Sequence, residues 1–258
     1  PTGLVTRCRC DLIATGGGTG GSRSVTMQGN SINAAADEMI EKFRALAEEE
    51  LEASAADLVF DDGAWRVAGT DKALTLEDLA AVARAKGEQD LLVTERENTV
   101  EARSFPNGAH VAEVEVDPDT GETRVVRYAV ADDLGVLMNP MLAEGQVHGG
   151  VIQGIGQALQ EQVSYDAQGQ LLSASFMDYS IPRAEDVPMI PFHSVPTPST
   201  ANAIGMKGCG EAGTVGALAA VTNAGLDALS RAGVGHVDMP LTPQRVWSWL
   251  QAARTAAE

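Results

Sequence analysis

The spacing of apolar residues changes along the chain, and each spacing predicts one type of element. Between residues 36 and 51 apolar side chains recur every three or four positions, which predicts an amphipathic helix. The stretch before it, 11–34, is rich in glycine, serine and threonine and is predicted to be a loop. The same criteria predict further helices from Thr75 as cap to Gly87 as stop, over 145–160, over 212–230, and from Thr242 and Pro243 onward.

Alternating apolar and polar residues predict strands in three places. One hairpin is expected over 58–69, around Asp62-Gly63, and a second pairs 111–117 with 122–132. A third pair of strands is expected at 162–166 and 171–179. Five of the eleven prolines fall between 182 and 198, which predicts an extended connector. Hairpins with separate helices indicate an α+β fold with mixed sheets and packed helices, not a regular β-α-β alternation.

The length of 258 residues allows one large or two modest domains. We predict an N-terminal α+β subdomain over 1–86 that carries a glycine-rich loop. A polar, charged seam at 87–107 connects it to a second α+β subdomain over 108–258. The chain starts with Pro1 and without Met or an apolar leader, so we expect a piece of a longer protein.

Charge and cysteine content exclude some partners. The formal net charge of −18 argues against nucleic acid or an anionic membrane as a partner, because both would be repelled. No apolar run reaches the about 18 residues of a membrane span. We expect Cys8, Cys10 and Cys209 to be reduced and not to bind metal, as in a cytoplasmic protein.

The loop "GGGTGGSRS" at 16–24 is the first candidate binding site. Its glycines satisfy the dinucleotide pattern G-x-G-x-x-G, but nine mostly polar residues separate the loop from the predicted helix, and no P-loop lysine follows. Glycine N–H groups, with the hydroxyls of Thr19, Ser22 and Ser24 and the guanidinium of Arg23, suit phosphate or pterin-like edges. A flexible surface loop is an equally good interpretation.

The predicted helix 145–160 contains five glycines, each of which costs about 1 kcal/mol relative to alanine. Some close backbone approach must compensate for them. Gln146, Gly149, Gly150 and Gln153 lie within about one face, where two carboxamides would grip a flat polar ligand. Helix packing through small residues, with exposed glutamines, is the alternative.

Glu211 is a single carboxylate within the small, apolar stretch "IGMKGCGEAGTVGALAAV". A buried, unpaired charge is costly, so the residue requires an explanation. It could cap the predicted helix 212–230 and favour its dipole. It could instead be a general base with a tuned environment. The four histidines show no ligand spacing, and no nucleophile elbow is present.

In chain order, several segments resemble the molybdenum hydroxylases, the family of xanthine dehydrogenase, aldehyde oxidase and aerobic carbon monoxide dehydrogenase. The resemblance covers nearly the whole chain and is to the C-terminal part of the large, molybdopterin-binding subunit. It is carried by "GGGTGGSRS", "GAHVAEVEVDPDTGETRVVR", "NPMLAEGQVHGGVIQGIGQALQE", "MDYSIPRAEDVP", "GMKGCGEAGT" and "DMPLTPQRVW". It departs from the family where proline usually follows Asn202.

The resemblance implies the cofactor-binding domain of the aldehyde oxidase and xanthine dehydrogenase type, and a role for each matching residue. Glu211 resembles the family's active-site base, confined and poorly hydrated among small neighbours. The expected cofactor is molybdenum held by molybdopterin, in a dinucleotide form, with no protein side chain as metal ligand. The implied cofactor contacts are Gly20, Gly21, Ser22, Arg23, Ser24, Gln146, Gln153, Lys207, Gly208 and Gly210.

The resemblance also implies what lies outside the chain. Residues that bind the small-molecule substrate come largely from the N-terminal half of the subunit, and iron–sulfur and FAD modules belong to partner domains or subunits. The implied activity is oxidative hydroxylation of an aldehyde or N-heterocycle with water, and the chain alone is expected to be inactive. A non-catalytic module that binds a phosphorylated ligand through the glycine loop, or a domain that keeps the fold only, are the alternatives.

Overall fold

The computed structural model describes residues 18–97, 99 and 102–257, and these form two units. One unit is Val25–Ala102. The other joins the described residues up to Ser24 to the segment from Arg103 onward. The division thus differs from the boundaries expected from the sequence, because the glycine loop groups with the later part of the chain. Contacts of Ser22 with residues 208–211 explain this grouping.

The unit Val25–Ala102 combines helices with a small antiparallel sheet. Its helices are α1 (Ser24–Leu51) and α2 (Leu76–Lys86), and its strands β1 (Leu58–Asp61), β2 (Ala64–Val67) and β3 (Ala73–Thr75) pair in that order. The predicted hairpin and short helix are confirmed. Thr75 and Asp78 form a reciprocal capping box, and Gly87 ends α2 in the left-handed conformation. Phe43, Trp65 and Leu79 are buried in the core of this unit.

Helix α1 begins at Ser24, although residues 24–34 were expected to belong to a loop. Thr26 and Asn30 are buried, and the Asn30 amide donates to the Thr26 carbonyl 2.5 Å away. Polar residues on the inward side of the helix hide the apolar period that would have revealed it. The glycine loop therefore runs directly into a helix, contrary to the separation expected from the sequence. The residues before Gly18 lie outside the described part of the chain.

The other unit contains a second three-stranded sheet. Strands β4 (Asn107–Val116) and β5 (Thr123–Asp133) are antiparallel, which confirms the second predicted hairpin. Strand β6 (Phe192–Ser194) pairs in parallel with the end of β5. It lies inside the segment predicted as a proline-rich connector, and Pro191 and Pro196 flank it. Edge strands tolerate such prolines because one side of the strand has no ladder to maintain.

The third predicted hairpin forms only in part: a turn is present at 167–168, with backbone hydrogen bonds from Asp166 N–H to Gln170 O and from Leu172 N–H to Ser164 O, but the two strands are not. Between residues 162 and 179 the structure has turns and one isolated bridge, Tyr165 with Leu171. Phe176 and Met177 are 82% and 93% exposed, so this segment has apolar residues but no core surface to pack on within the described chain. A strand depends on such a surface more than on its intrinsic propensity.

Three helices belong to the same unit as this second sheet. They are α3 (Pro140–Leu159), α4 (Ala212–Ser230) and α5 (Pro243–Ala257). Helix α3 starts five residues before the predicted 145, because the Asn139 side chain caps it through the Leu142 N–H and Pro140 occupies the first turn. The predicted bounds of α4 and the start of α5 are confirmed. None of the described helices combines the length and apolar character needed to cross a bilayer.

Helices α3 and α4 cross with their backbones in close contact. A Cβ atom on Gly213 would lie 2.4 Å from the Val147 carbonyl oxygen, and one on Gly154 would lie 2.6 Å from the Ala217 Cβ. A Cβ on Gly150 would lie 3.0 Å from the Thr214 nitrogen. Small residues at this crossing therefore fix the position at which α4 begins.

Candidate functional site

The loop before α1 has a left-handed backbone at three positions. Gly18, Gly21 and Ser22 have φ values of 66°, 63° and 56°. Two of the three are glycines, which adopt this conformation without a steric penalty, but Ser22 is not. Such strain in a non-glycine residue persists only where surrounding contacts hold it, and it often marks a functional site.

Ser22 is held by two glycines that follow almost two hundred residues later. A Cβ on Gly208 would lie 2.2 Å from the Ser22 carbonyl oxygen, and one on Gly210 would lie 3.1 Å from Ser22 Oγ. A side chain at position 208 would overlap the Ser22 backbone, and one at position 210 would be in tight contact with the Ser22 side chain. The structure thus brings the predicted loop and the predicted "KGCGE" segment together.

Glu211 is bound by the same serine through two hydrogen bonds. Ser22 Oγ donates to Glu211 Oε2 at 2.6 Å and accepts from the Glu211 backbone N–H at 3.0 Å. The side chain of Glu211 does not cap α4, although the residue occupies the N-cap position. The simple capping interpretation therefore does not account for this carboxylate, whereas its bond to Ser22 does.

Glu211 is exposed in this chain, which corrects the expectation of a confined and poorly hydrated carboxylate. Positions 208, 210 and 213 are occupied by glycine because Ser22 and α3 approach the backbone there. These glycines do not bury the carboxylate. An exposed, single carboxylate at a helix N-terminus remains accessible to a ligand.

Two glutamines of α3 contact residues on either side of Glu211, at the start of α4. Gln146 Nε2 donates to the Gly210 carbonyl at 3.2 Å, and Thr214 Oγ1 lies 3.2 Å from Gln153 Oε1. Thr214 Oγ1 is also 3.1 Å from the Gly150 carbonyl oxygen. Thr214 was not singled out from the sequence, and its place in the first turn after Glu211 was the only signal. Both glutamines are exposed.

The glycines of α3 serve two different faces. Gly150 and Gly154 are buried against α4, which supports the packing interpretation for them. Gly145 and Gly149 are exposed, and a Cβ on either would have no atom within 4 Å. With Met141 and Gln153 they form a line at four-residue spacing along α3. We call this line the open face of α3, and packing in the described chain does not explain its glycines.

Three predicted contact residues lie differently. Arg23 donates to the Gly18 carbonyl at 3.2 Å, and Ser24 Oγ is 2.8 Å from Thr19 Oγ1, so both brace the loop. Lys207 is buried, and its Nζ lies 2.5 Å from Asp133 Oδ2. The Lys207 side chain therefore serves the fold, and these contacts give its expected cofactor role no support.

The Lys207–Asp133 pair has a defined electrostatic balance. Desolvation raises the pKa of Asp133, but hydrogen bonds from the Lys207 ammonium group and from the Thr197 and Gly135 N–H groups outweigh it. The pKa of Asp133 consequently lies well below its ordinary value of 3.8. The ion pair ties the segment before Glu211 to the end of β5.

The donors around the start of α4 suit an organic cofactor. Among the described residues no group of three or more His, Cys, Asp or Glu side chains could hold a metal ion. A glycine loop, two carboxamides and one carboxylate instead surround the start of α4. Backbone and amide N–H groups bind polar heteroatoms and phosphates, and the open face of α3 leaves room for a flat group to approach. These residues fit a pterin-type cofactor.

The comparisons with known proteins agree with this donor set. Residues 4–188 match the family model described as molybdopterin cofactor-binding domain. The chain is 36% identical, over 95% of its length, to the 6-hydroxypseudooxynicotine dehydrogenase complex subunit gamma of Paenarthrobacter nicotinovorans. It is 39% identical, over 90% of its length, to the nicotine 6-hydroxylase large subunit of the same organism.

A solved structure has the same fold over most of the chain. Reconstituted CO dehydrogenase from Oligotropha carboxidovorans superposes with a TM-score of 0.86 and 33% identity, covering 96% of this chain and 31% of that one. The chain spans 32% and 29% of the two curated relatives. It therefore corresponds to about a third of a large subunit.

Proposed function

The chain belongs to the molybdenum hydroxylase family, and from that premise we propose that it holds the molybdenum cofactor of a hydroxylase large subunit beside Glu211, the catalytic base. The enzyme that contains it hydroxylates an aldehyde or an N-heterocycle oxidatively, with water as the oxygen source. The chain is the C-terminal region of that subunit. The observation that carries the proposal is the pair of hydrogen bonds between Ser22 and Glu211, because it places the only carboxylate of this stretch against the glycine loop.

The cofactor contacts follow from the donors around the start of α4. Gly20, Gly21 and Ser22 would offer backbone N–H groups to the phosphate portion in a dinucleotide form. Gln146 and Gln153 would face the pterin, with the exposed Gly149 between them on α3. When bound, the cofactor supplies the centre that accepts two electrons from the substrate.

Glu211 acts on protons. Ser22 occupies Oε2 and leaves Oε1 without a hydrogen bond to any described residue. The carboxylate is thus oriented by one oxygen and accepts a proton through the other, as a general base requires. No other described side chain at the start of α4 carries a negative charge, since Ala212, Gly213 and Thr214 follow.

Substrate and partners are inferred from the relatives. Two matched proteins are named for nicotine or a nicotine derivative, which favours an N-heterocyclic substrate. Because the chain is about a third of those subunits, the N-terminal part of the large subunit completes the substrate site. Iron–sulfur and FAD subunits carry the electrons away. We expect the isolated chain to be inactive, and the cytoplasmic location stays a prediction.

The test is the Glu211→Gln substitution in the holoenzyme, compared with Glu113→Gln as a matched control on β4. Glutamine keeps the size of the side chain but cannot accept the proton. We expect turnover to fall by about 10³-fold or more, since a positioned base contributes about 10²–10⁴. Molybdenum and pterin per chain should stay unchanged. The control should retain both activity and cofactor.

Two results would contradict the proposal. An active Glu211→Gln enzyme would exclude Glu211 as the base. An intact, folded complex without molybdenum would exclude the cofactor itself, and a bound nucleotide or phosphate in that preparation would instead support a non-catalytic module using the glycine loop.

A further inference from the structure

A buried polar cluster lies under α4 and outside the site described above. The His110 side chain is 6% exposed and that of Asp132 is 2% exposed. His110 Nε2 is 3.3 Å from Asp132 Oδ1, and His110 Nδ1 is 2.8 Å from the Tyr128 hydroxyl. Burial and the negative charge of Asp132 raise the pKa of Tyr128. Each ring nitrogen of His110 thus has one polar partner, and the two partners hold the ring in place.

This cluster is more costly than hydrocarbon packing would be. Asp132 Oδ2 is buried and has no hydrogen-bond partner among the residues that the structure describes. The carboxylate also excludes any side chain at position 108, where a Cβ on Gly108 would lie 1.8 Å from Asp132 Oδ1. Buried polar groups of this kind fix one orientation of their partners, which apolar groups do not. The group fixed here is the imidazole ring.

The ring of His110 lies against the backbone of α4 at Gly216. A Cβ on Gly216 would be 2.5 Å from three atoms of the ring. Carbon atoms pack at about 3.5 Å or more, so any side chain here would move the helix or the ring by about 1 Å. Gly216 is five residues after Glu211 on the same helix, so a shift of this turn moves the carboxylate.

We propose that His110 is a positioning residue for Glu211. Oriented by Asp132 and Tyr128, its ring sets the distance between the N-terminal half of α4 and the sheet. Glu211 is thereby brought to hydrogen-bonding distance of Ser22. The consequence for catalysis rests on the proposed function, whereas the positioning itself is a property of this chain.

The geometry fixes the start of α4 from three directions. Gly213 packs on the α3 backbone, Gly216 on the His110 ring, and Glu211 on Ser22. These contacts are with three different parts of the chain, α3, β4 and the glycine loop, so a shift of α4 that relieves one contact changes the others. A reacting group displaced by about 1 Å loses about 10²-fold in rate.

The experiment compares Gly216→Ala with Gly225→Ala in the holoenzyme. Both glycines are on α4, and Gly225 is in its C-terminal half, away from Glu211. A Cβ on Gly225 would also make a 2.5 Å contact, in this case with Leu241 Cδ2. We expect Gly216→Ala to lengthen the distance from Ser22 Oγ to Glu211 Oε2 by about 1 Å in a crystal structure. The kcat value should fall by about 10²-fold with unchanged molybdenum content. Gly225→Ala should lower Tm but leave the distance and kcat unchanged.

A second substitution tests the ring directly. In His110→Ala no ring lies against Gly216, so the distance from Ser22 Oγ to Glu211 Oε2 should change and kcat should fall with unchanged molybdenum content. This variant also decides the question if Gly216→Ala does not fold, because a wild-type distance and kcat in His110→Ala would overturn the proposal. An unchanged distance in Gly216→Ala, or an equal change in Gly225→Ala, would also overturn it. If Glu211→Gln proves active, the proposed function fails while the distances still test the positioning.

Discussion

Ser22 combines a left-handed backbone with a hydroxyl group that is bonded twice to one residue. Its φ of 56° is strained for a residue with a side chain. The hydroxyl bonds both the carboxylate and the backbone N–H of Glu211. Contacts with Gly208 and Gly210 hold the strained conformation, so the orientation of the carboxylate depends on three residues of the same small cluster.

Replacing Ser22 separates these two features. Ser22→Ala removes the hydroxyl and keeps the strain, and Ser22→Gly removes both. A hydrogen bond to a charged group contributes about 1.5–3 kcal/mol, so we expect kcat to fall about tenfold or more in both variants. The measurement is steady-state kinetics on holoenzyme of known molybdenum content.

Stability distinguishes the two variants. Glycine relieves the strain at a positive φ, so Ser22→Gly should have the higher Tm of the two. If Ser22→Ala kept the wild-type kcat, the hydrogen bond to Glu211 would not matter for turnover.

At the scale of the element, α3 is a helix whose glycines have opposite roles. Its inner glycines allow α4 to approach, whereas Gly145 and Gly149 have nothing near them in the described chain. Glycine in an exposed helix costs about 1 kcal/mol relative to alanine. The open face therefore reduces the stability of this helix, and we assign the reason to the cofactor.

Gly149→Ala tests that assignment. In the isolated chain it should raise the free energy of unfolding by up to about 1 kcal/mol, because it only improves helix propensity. In the holoenzyme it should lower molybdenum content, because the methyl group would occupy space beside Gln146 and Gln153. Urea unfolding and elemental analysis measure the two effects.

Gly213→Ala is the opposite case on the neighbouring helix. Its methyl group would meet the Val147 carbonyl oxygen at 2.4 Å, and a backbone atom cannot move aside as a side chain does. We expect a loss of about 1–3 kcal/mol in the free energy of unfolding of the isolated chain.

The outcome that would contradict the Gly149→Ala prediction is an unchanged molybdenum content in that holoenzyme. It would show that the open face of α3 contacts something other than the cofactor.

For the molecule as a whole, acid stability depends on the pair between Lys207 and Asp133. The folded-state pKa of Asp133 lies well below 3.8, its value in an unfolded chain. A depressed carboxyl pKa contributes stability that is fully present above the unfolded value and is lost as pH falls through the folded value. The pair joins the segment before Glu211 to β5, so its loss weakens the unit that contains the site.

Asp133→Asn should therefore lower the free energy of unfolding at neutral pH, and the difference from wild type should shrink below about pH 4. Lys207→Met should cost up to about 3 kcal/mol at neutral pH, because it leaves Asp133 without its cation. Urea unfolding of the isolated chain over a pH series measures both. Asp227→Asn, at an exposed position of α4, is the control. This account would be contradicted if the difference in free energy of unfolding between wild type and Asp133→Asn stayed constant down to about pH 2.

The comparison between sequence and structure divides by the range of the interactions. Helix α4, the hairpin of β4 and β5, and the capped α2 were predicted because their period and caps lie within a few neighbouring residues. The start of α1 was missed because Thr26 and Asn30 are polar and buried, and the strands near 162–179 were wrong because no core surface lies against them. The glycine loop, both glutamines and Glu211 were singled out because their residue types are unusual for their segments.

The sequence alone determined the element types, the unusual residues of the site and the resemblance to a family, since all of these depend on the order of residues. Only the tertiary structure decided which of them meet. Ser22 and Glu211 are 189 residues apart in the chain, but Ser22 Oγ is 2.6 Å from Glu211 Oε2. Lys207 forms an ion pair with Asp133, and the His110 ring lies against Gly216. Such partners are set by how helices and sheets pack, and local periodicity contains no information about that distance.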